Sequence, residues 1–231
     1  MKSLSKTWCS ALVLLAMPLS AFAVTFSGIS TGTFQNPAGP PGMVTAGVGT
    51  NHFTWGVTAD GNPVNSLAFA GASFVTVSPE TTFGLGTLTY HNGAIALGTE
   101  ASSVDLAVTL TFSDPAGLGP QSFTFPFTMV TTPNGGVDPV ADADSVELGL
   151  GRQSVFSFGG TSYTLDLSFG NFHGNSLGDA DTFRVLEQGT GTVDLQGTIT
   201  TNIVRTPDTG STLVLLGAAM AAIRFGRRAM A

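Results

Sequence analysis

Cysteine and lysine are nearly absent from this 231-residue chain. The one cysteine, Cys9, and the two lysines, Lys2 and Lys6, all lie within the first nine residues. Beyond that segment there is no disulfide, no thiol nucleophile and no cysteine-based metal site. The rest of the chain must therefore hold its fold together by packing and hydrogen bonding alone.

Basic residues are also scarce in the central part of the chain. Residues 24–204 carry fourteen acidic side chains against only Arg152 and Arg184, a formal charge near −12. Nucleic-acid binding needs clusters of Lys and Arg to neutralise phosphates, so we expect no nucleic-acid partner. An acidic surface of this kind favours solubility and attracts divalent cations.

Residues 1–23 have the pattern of a secretory signal peptide. Lys2 and Lys6 precede an apolar stretch at 11–17, and Ala21-Phe22-Ala23 supplies a small-x-small cleavage site. The apolar stretch is too short to span a bilayer. We predict export, with signal peptidase cleaving after Ala23, which also removes the cysteine.

Strict alternation of apolar and polar residues runs through four segments, at 104–112, 123–129, 163–169 and 193–199. A period of two over this length is typical of half-buried antiparallel strands. Shorter segments with strand character occur at 24–34, 52–57, 66–69, 73–77, 84–90, 154–158 and 181–187. About a dozen short strands, with Gly, Pro and Asn turns between them, predict an all-β chain.

We therefore expect residues 24–204 to form one domain, an antiparallel two-sheet sandwich of jelly-roll type. The chain has seventeen Phe against two Tyr and two Trp, so Phe must supply much of the core. Pro126 falls on the polar face of its strand and removes one ladder donor. We expect that strand to lie at a sheet edge or to contain a bulge.

No pattern of catalytic residues stands out. His52, His91 and His173 are far apart and none has metal-ligand spacing. The G-x-S-x-G nucleophile motif is absent, and nothing singles out a pair of facing carboxylates for glycoside hydrolysis. We expect a protein that is not an enzyme.

Two acidic segments each contain Asp-Ala-Asp: "DPVADADSVE" holds Asp142 and Asp144, and "NSLGDADTF" holds Asp179 and Asp181. Two carboxylates at i and i+2 can begin an oxygen-only calcium shell, although the EF-hand pattern is missing. These four residues are the candidate calcium ligands. The alternative is that they are solvated loop acids that order the backbone through Asx turns.

Trp55 and Tyr90 are candidate glycan contacts. Apart from Tyr163, they are the only large amphipathic rings outside the predicted core strands of the mature chain. If both rings lie on one exposed face, carbohydrate binding is favoured. If both are buried, it is disfavoured.

Residues 205–231 form a segment of their own. A Pro-Asp-Thr-Gly turn precedes the apolar run 211–223, and Arg224, Arg227 and Arg228 follow it. As a helix the run would be about 20 Å long, short of the ~30 Å core of a bilayer. We expect a transient anchor at the inner membrane, oriented by the arginines as a stop signal on the cytoplasmic side.

This tail resembles the PEP-CTERM class of sorting signal, most closely its VPDSG-type variant. The matching motif is Pro207, Asp208, Thr209, Gly210 and Ser211. Thr206 stands where the class usually has valine, and Thr209 where it has serine. The resemblance implies recognition by an exosortase-type processing peptidase, in a Gram-negative bacterium that makes extracellular polysaccharide.

The body of the chain resembles a choice-of-anchor K domain in "FSGISTGTF", "TTFGLGTLTYHNGAIALGTEASSVDLAVTLTF" and "DTFRVLEQGTGTVDLQGTI". Such domains are extracellular β-rich modules with varied C-terminal anchors. Together the resemblances imply a non-enzymatic exported protein of the cell surface or biofilm matrix. The alternative is a carbohydrate-binding module, with or without calcium, that acts on envelope or exopolysaccharide glycans.

Overall fold

The computed structural model describes residues 24–59, 61–133 and 138–202. Within these ranges the chain forms fourteen β-strands and no helix, which confirms the all-β prediction. The strands make two antiparallel sheets of seven strands each, whose facing sides pack as a β-sandwich. The alternating apolar side chains of the longest strands are the ones that meet between the sheets.

One sheet, here sheet A, contains β1 (Phe26–Ala38), β5 (Ser73–Val77), β7 (Ser103–Asp114), β8 (Gln121–Val130), β9 (Asp144–Leu148), β12 (Ser176–Gly178) and β13 (Thr182–Val185). Its strand order is β12-β13-β9-β8-β7-β1-β5.

The other sheet, sheet B, contains β2 (Thr45–Ala46), β3 (His52–Trp55), β4 (Asn65–Gly71), β6 (Thr82–His91), β10 (Gln153–Phe158), β11 (Thr161–Gly174) and β14 (Thr190–Thr201). Its order is β10-β11-β14-β6-β4-β3-β2, so β14 and β6 are central.

Strand β14 runs from one end of the sandwich to the other, and its two ends are used here to name the ends of the sandwich. At one end Thr201 pairs with Tyr163, whose ring lies 5.2 Å from that of Phe26. Val24 and Asn202, the two outer limits of the described chain, therefore lie at this terminal end. At the far end Thr190 pairs with His91. The twelve residues of β14 separate the two ends by about 40 Å.

Phenylalanine fills the core as the composition predicts. Phe127 of sheet A lies 6.2 Å from Phe169 of sheet B, and Phe169 lies 6.1 Å from Phe183, so the rings bridge the two sheets. The buried members are Phe26, Phe34, Phe53, Phe69, Phe74, Phe83, Phe123, Phe125, Phe127, Phe156, Phe169 and Phe183. Each buried ring contributes about 2–3 kcal/mol of transfer free energy, which replaces the stabilisation that disulfides would give.

The expectation for Pro126 was wrong. Its strand, β8, lies between β7 and β9, and Pro126 pairs in register with Asp105 of β7. The carbonyl of Pro126 accepts a bond from Gly149 N. In an antiparallel strand the N–H and C=O groups of one residue face the same neighbour, so the proline nitrogen, which has no hydrogen, also faces β9. Strand β9 ends at Leu148, opposite Phe127, and there is no ladder bond for the proline to break.

Candidate functional site

Several predicted sites lie outside the described residues. These are the signal peptide at 1–23, the sorting motif Pro207–Ser211, and the stop residues Arg224, Arg227 and Arg228. Over the three described ranges, no helix is long and apolar enough to cross a membrane.

Trp55 and Tyr90 do not form an exposed platform. Each is only 1% exposed, and their rings stack on each other with centroids 5.6 Å apart. They face the inside of the sandwich, where Tyr90 also makes an edge contact with Phe183 of sheet A. Of the two outcomes that the sequence left open, the structure shows the second: both rings belong to the core, which disfavours carbohydrate binding through them.

The two Asp-Ala-Asp segments do not meet. Strands β9 and β13 pair antiparallel, with Asp144 opposite Val185 and the backbone of Asp181 bonded to Leu148 N. Four residues of strand, about 13 Å, therefore separate Asp144 from Asp181. The structure does not bring the four candidate calcium ligands into one shell. Within the described part of the chain, no three His, Cys, Asp or Glu side chains are grouped so that they could hold a metal.

Asp179 and Asp181 have local structural roles. The Asp179 carboxylate accepts bonds from the backbone N–H groups of Asp181 and Thr182, both at 2.9 Å, which is an Asx turn. Asp181 pairs with Arg152, which also lies 3.4 Å from Asp166. This segment therefore fits the alternative to calcium binding, in which the acidic residues order the backbone of a loop.

Asp144 differs from the other three acids because it is buried, with 1% of its surface exposed. Its Oδ1 accepts bonds from Thr132 N at 2.7 Å and Thr132 Oγ1 at 2.9 Å. Its Oδ2 lies 3.4 Å from the hydroxyl of Tyr90, which donates to it. The carboxyl group thus joins β9 and the segment after β8 to the sheet B core.

Burial dominates the electrostatics of this pair. Desolvation raises the pKa of Asp144 above its ordinary value, and the hydrogen bonds from Thr132 and Tyr90 oppose that rise. Desolvation, and then the adjacent Asp144 carboxylate, raise the pKa of Tyr90 well above its ordinary value. The phenol therefore stays protonated and serves as a hydrogen-bond donor.

More buried polar groups surround this pair at the far end. Asn65 Oδ1 accepts a bond from Gly93 N at 2.5 Å, and Asn92 Nδ2 donates to the carbonyl of Val185 at 3.0 Å. Both asparagines are fully buried. In the described ranges, Trp55 Nε1, Asn65 Nδ2 and Asn92 Oδ1 are buried at this end without a hydrogen-bond partner. Each such atom costs about 1–3 kcal/mol unless water or a ligand reaches it.

A cleft opens next to this polar cluster, with a volume of about 620 Å³. We call it the far-end cleft. Asp144 lies in its wall together with Glu100, Gly93 and Thr132. The apolar lining consists of Ile95, Leu97, Ala101, Met129, Val130 and Pro133. Its size and its largely apolar wall, with a few polar groups, are those of small-molecule sites.

Sequence reasoning singled out Asp144, Trp55 and Tyr90 but did not predict that the three are buried together. It missed Asn92 and Glu100 entirely. The signal at Asn92 was the "HNG" that directly follows a predicted strand, where a turn residue was the ordinary interpretation. Glu100 had no local signal, because its neighbours in the cleft come from distant segments.

No family model matches the chain, and no curated protein is similar enough to count as a relative.

Proposed function

We propose that the protein is a non-enzymatic component of the cell surface or extracellular matrix, exported through residues 1–23 and sorted through residues 205–231. The main support is the order of segments along the chain. A signal-peptide pattern is followed by a sandwich without cysteine, and then by the sorting motif, an apolar run and an arginine cluster. The motif resemblance makes an exosortase-type peptidase the processing partner. We further propose that the sandwich is of jelly-roll type and that it is a choice-of-anchor K domain.

The position of the described chain limits supports this arrangement. Val24 and Asn202 both lie at the terminal end, so a tail held at a membrane leaves the long axis of the sandwich free to project outward. The acidic surface is soluble and repels anionic lipid headgroups, which also favours projection away from the membrane.

The carbohydrate-binding alternative loses its sequence argument, because Trp55 and Tyr90 are core residues. No other observation identifies a glycan platform, so we do not propose one.

Deletion of residues 206–231 tests the sorting proposal in cells that process such tails. We expect the deleted protein to leave the membrane fraction and to appear, without the C-terminal processing step, in the periplasm or medium. Replacing Arg224, Arg227 and Arg228 together with Gln should weaken membrane retention in the same direction, because the stop signal is lost.

Arg184→Gln is the matched control, since Arg184 is an exposed arginine on β13. It should leave fractionation and mass unchanged. If the deleted and the triple-variant proteins fractionate and weigh as the parent does, apart from the change in sequence, the sorting proposal is wrong.

A further inference from the structure

The two sheets end in four edge strands within the described ranges, and three of these are blunted. Strand β2 has only two residues and β12 only three. The pairing of β5 with β1 shifts register between Phe26 and Gly28. At that point Thr76 has a φ of 53° and turns its N–H back to Ser27 Oγ. Short edge strands and bulges are means by which natural sheets prevent further pairing.

The fourth edge strand, β10, has no such protection. Its six residues, Gln153–Phe158, pair with β11 in an unbroken register and include no charged residue, proline or glycine. None of the six has a positive φ. Val155, in the middle of the strand, is 62% exposed. A regular and uncharged edge of this kind can accept another strand.

The hydrogen bonds to β11 show which backbone groups of β10 face outward. Leu167 N donates to the carbonyl of Arg152 at 3.1 Å, so the even-numbered residues of this segment face β11. Gln153, Val155 and Ser157 therefore direct both their N–H and their C=O groups away from the sheet. Within the described part of the chain these groups have no bonding partner. A row of free donors and acceptors at strand spacing fits the backbone of another extended segment.

The outward row of β10 is complementary to itself. When two β10 strands lie antiparallel, Val155 can face Val155 of the second copy while Gln153 faces Ser157. Each of these pairs exchanges both of its N–H···O bonds, and the two exposed valines come into contact. No charge opposes this contact, although the domain as a whole is strongly acidic. A second copy therefore satisfies every outward group of the strand.

We propose that β10 is a self-association surface, on which β10 of a second copy of this chain extends sheet B. A two-fold axis passes between the paired Val155 residues, so the assembly closes as a dimer. The terminal ends of the two copies point in opposite directions, because the paired strands are antiparallel. The association is weak and depends on concentration, since one short strand pair buries less surface than a standard protein interface. This inference does not rest on the sorting proposal.

Disulfide trapping in the purified full chain tests both the pairing and its register. With Cys9→Ser the chain has no other cysteine. Val155→Cys should then form a cross-linked dimer on mild oxidation, because paired Cα atoms about 5.5 Å apart are within reach of a disulfide. Gln153→Cys and Ser157→Cys should each cross-link poorly alone, because about 13 Å of strand separates equivalent residues. The two proteins should cross-link with each other when they are mixed.

The matched control is Val75→Cys, since Val75 is a similarly exposed valine on the blunted edge strand β5. It should give about tenfold less dimer than Val155→Cys. In sedimentation of the Cys9→Ser chain, Val155→Lys should abolish the concentration-dependent dimer, because two like charges then face each other, whereas Val75→Lys should keep it.

Three results would each overturn the inference. The first is a dimer yield of Val155→Cys no higher than that of Val75→Cys. The second is cross-linking of Gln153→Cys and of Ser157→Cys that is as efficient alone as in the mixture, because it would exclude the register. The third is a Val155→Lys protein that sediments as its parent does.

Discussion

Asp144 shows at the scale of one residue how burial changes what an acidic side chain does. It accepts two bonds from Thr132 and one from Tyr90, but the described residues offer it no cation. Its hydrogen bonds orient the segment after β8, while its burial disfavours the ionised form. The carboxyl group therefore connects β9 with Thr132 and Tyr90, while burial of its charge reduces the stability of the fold.

Relative to the wild type, Asp144→Asn should gain stability as the pH rises, because the buried charge is gone. The amide oxygen keeps the bonds from Thr132, but the amide NH2 replaces Oδ2 and removes the acceptor of the Tyr90 hydroxyl, at a cost of about 1–3 kcal/mol that does not depend on pH. The unfolded group loses its proton near 3.8, the ordinary value, whereas burial raises the pKa in the fold. The wild type therefore loses stability as the pH rises from about 4 through the raised pKa. The difference in unfolding free energy between the variant and the wild type should therefore shift in favour of the variant over that window and then stay constant.

Denaturant unfolding from pH 3 to 8 measures this effect. Asp142→Asn is the control, because Asp142 is only half-buried and the substitution keeps its backbone carbonyl, which shares the one hydroxyl proton of Thr132 with Asp144 Oδ1. The account of Asp144 fails if the stability of Asp144→Asn relative to the wild type does not rise between pH 3 and pH 7, or if both variants follow the same curve.

The residue scale is also where prediction from sequence failed most. Whether Trp55 and Tyr90 are exposed could not be predicted, because local patterns do not show what faces them across the sandwich. Tyr90 meets Phe183 and Asp144 from sheet A, and both partners come from distant positions in the chain. The Asp-Ala-Asp repeat is compatible with one site in the sequence, but the antiparallel pairing of β9 with β13 places its two copies at opposite ends of that strand pair, about 13 Å apart.

At the scale of elements, prediction succeeded where alternation was long. Strands β7, β8, β11 and β14 each bury alternate residues as their sequences predict, because a period of two directly reports the face that is buried. Neighbours within the sheets could not be predicted in this way. Pro126 shows the reason: it is tolerated in an interior strand only because β9 ends beside it, and no local pattern carries that fact.

Gly197 in central strand β14 gives a test at this scale. A Cβ atom there would lie 2.9 Å from Leu85 Cδ1 and 3.0 Å from Leu165 Cδ1, so the two leucines occupy the space of a side chain. Gly197→Val should destabilise the fold by about 1–3 kcal/mol, because overpacking forces these neighbours out of place. Thermal and denaturant unfolding would measure the loss.

Thr200→Val is the control, because Thr200 lies on the same strand with its side chain on the other, half-buried face. It should change the free energy of unfolding by less than about 0.5 kcal/mol. Equal effects of the two substitutions would mean that the contact of Gly197 with Leu85 and Leu165 does not limit the packing.

At the scale of the whole molecule, the two ends of the sandwich differ in what they contain. The limits of the described chain lie at the terminal end, and the far-end cleft lies about 40 Å away. If the tail holds the protein at a membrane, the cleft is the part presented outward.

The central claim is that the chain is exported and processed at both ends. Intact-mass spectrometry, with sequencing of both termini, on the protein recovered from the cell surface or matrix tests it most directly. The account predicts a protein that begins at Val24 and ends close to the motif at 206–211. A protein that stays inside the cell and still runs from Met1 to Ala231 would contradict it.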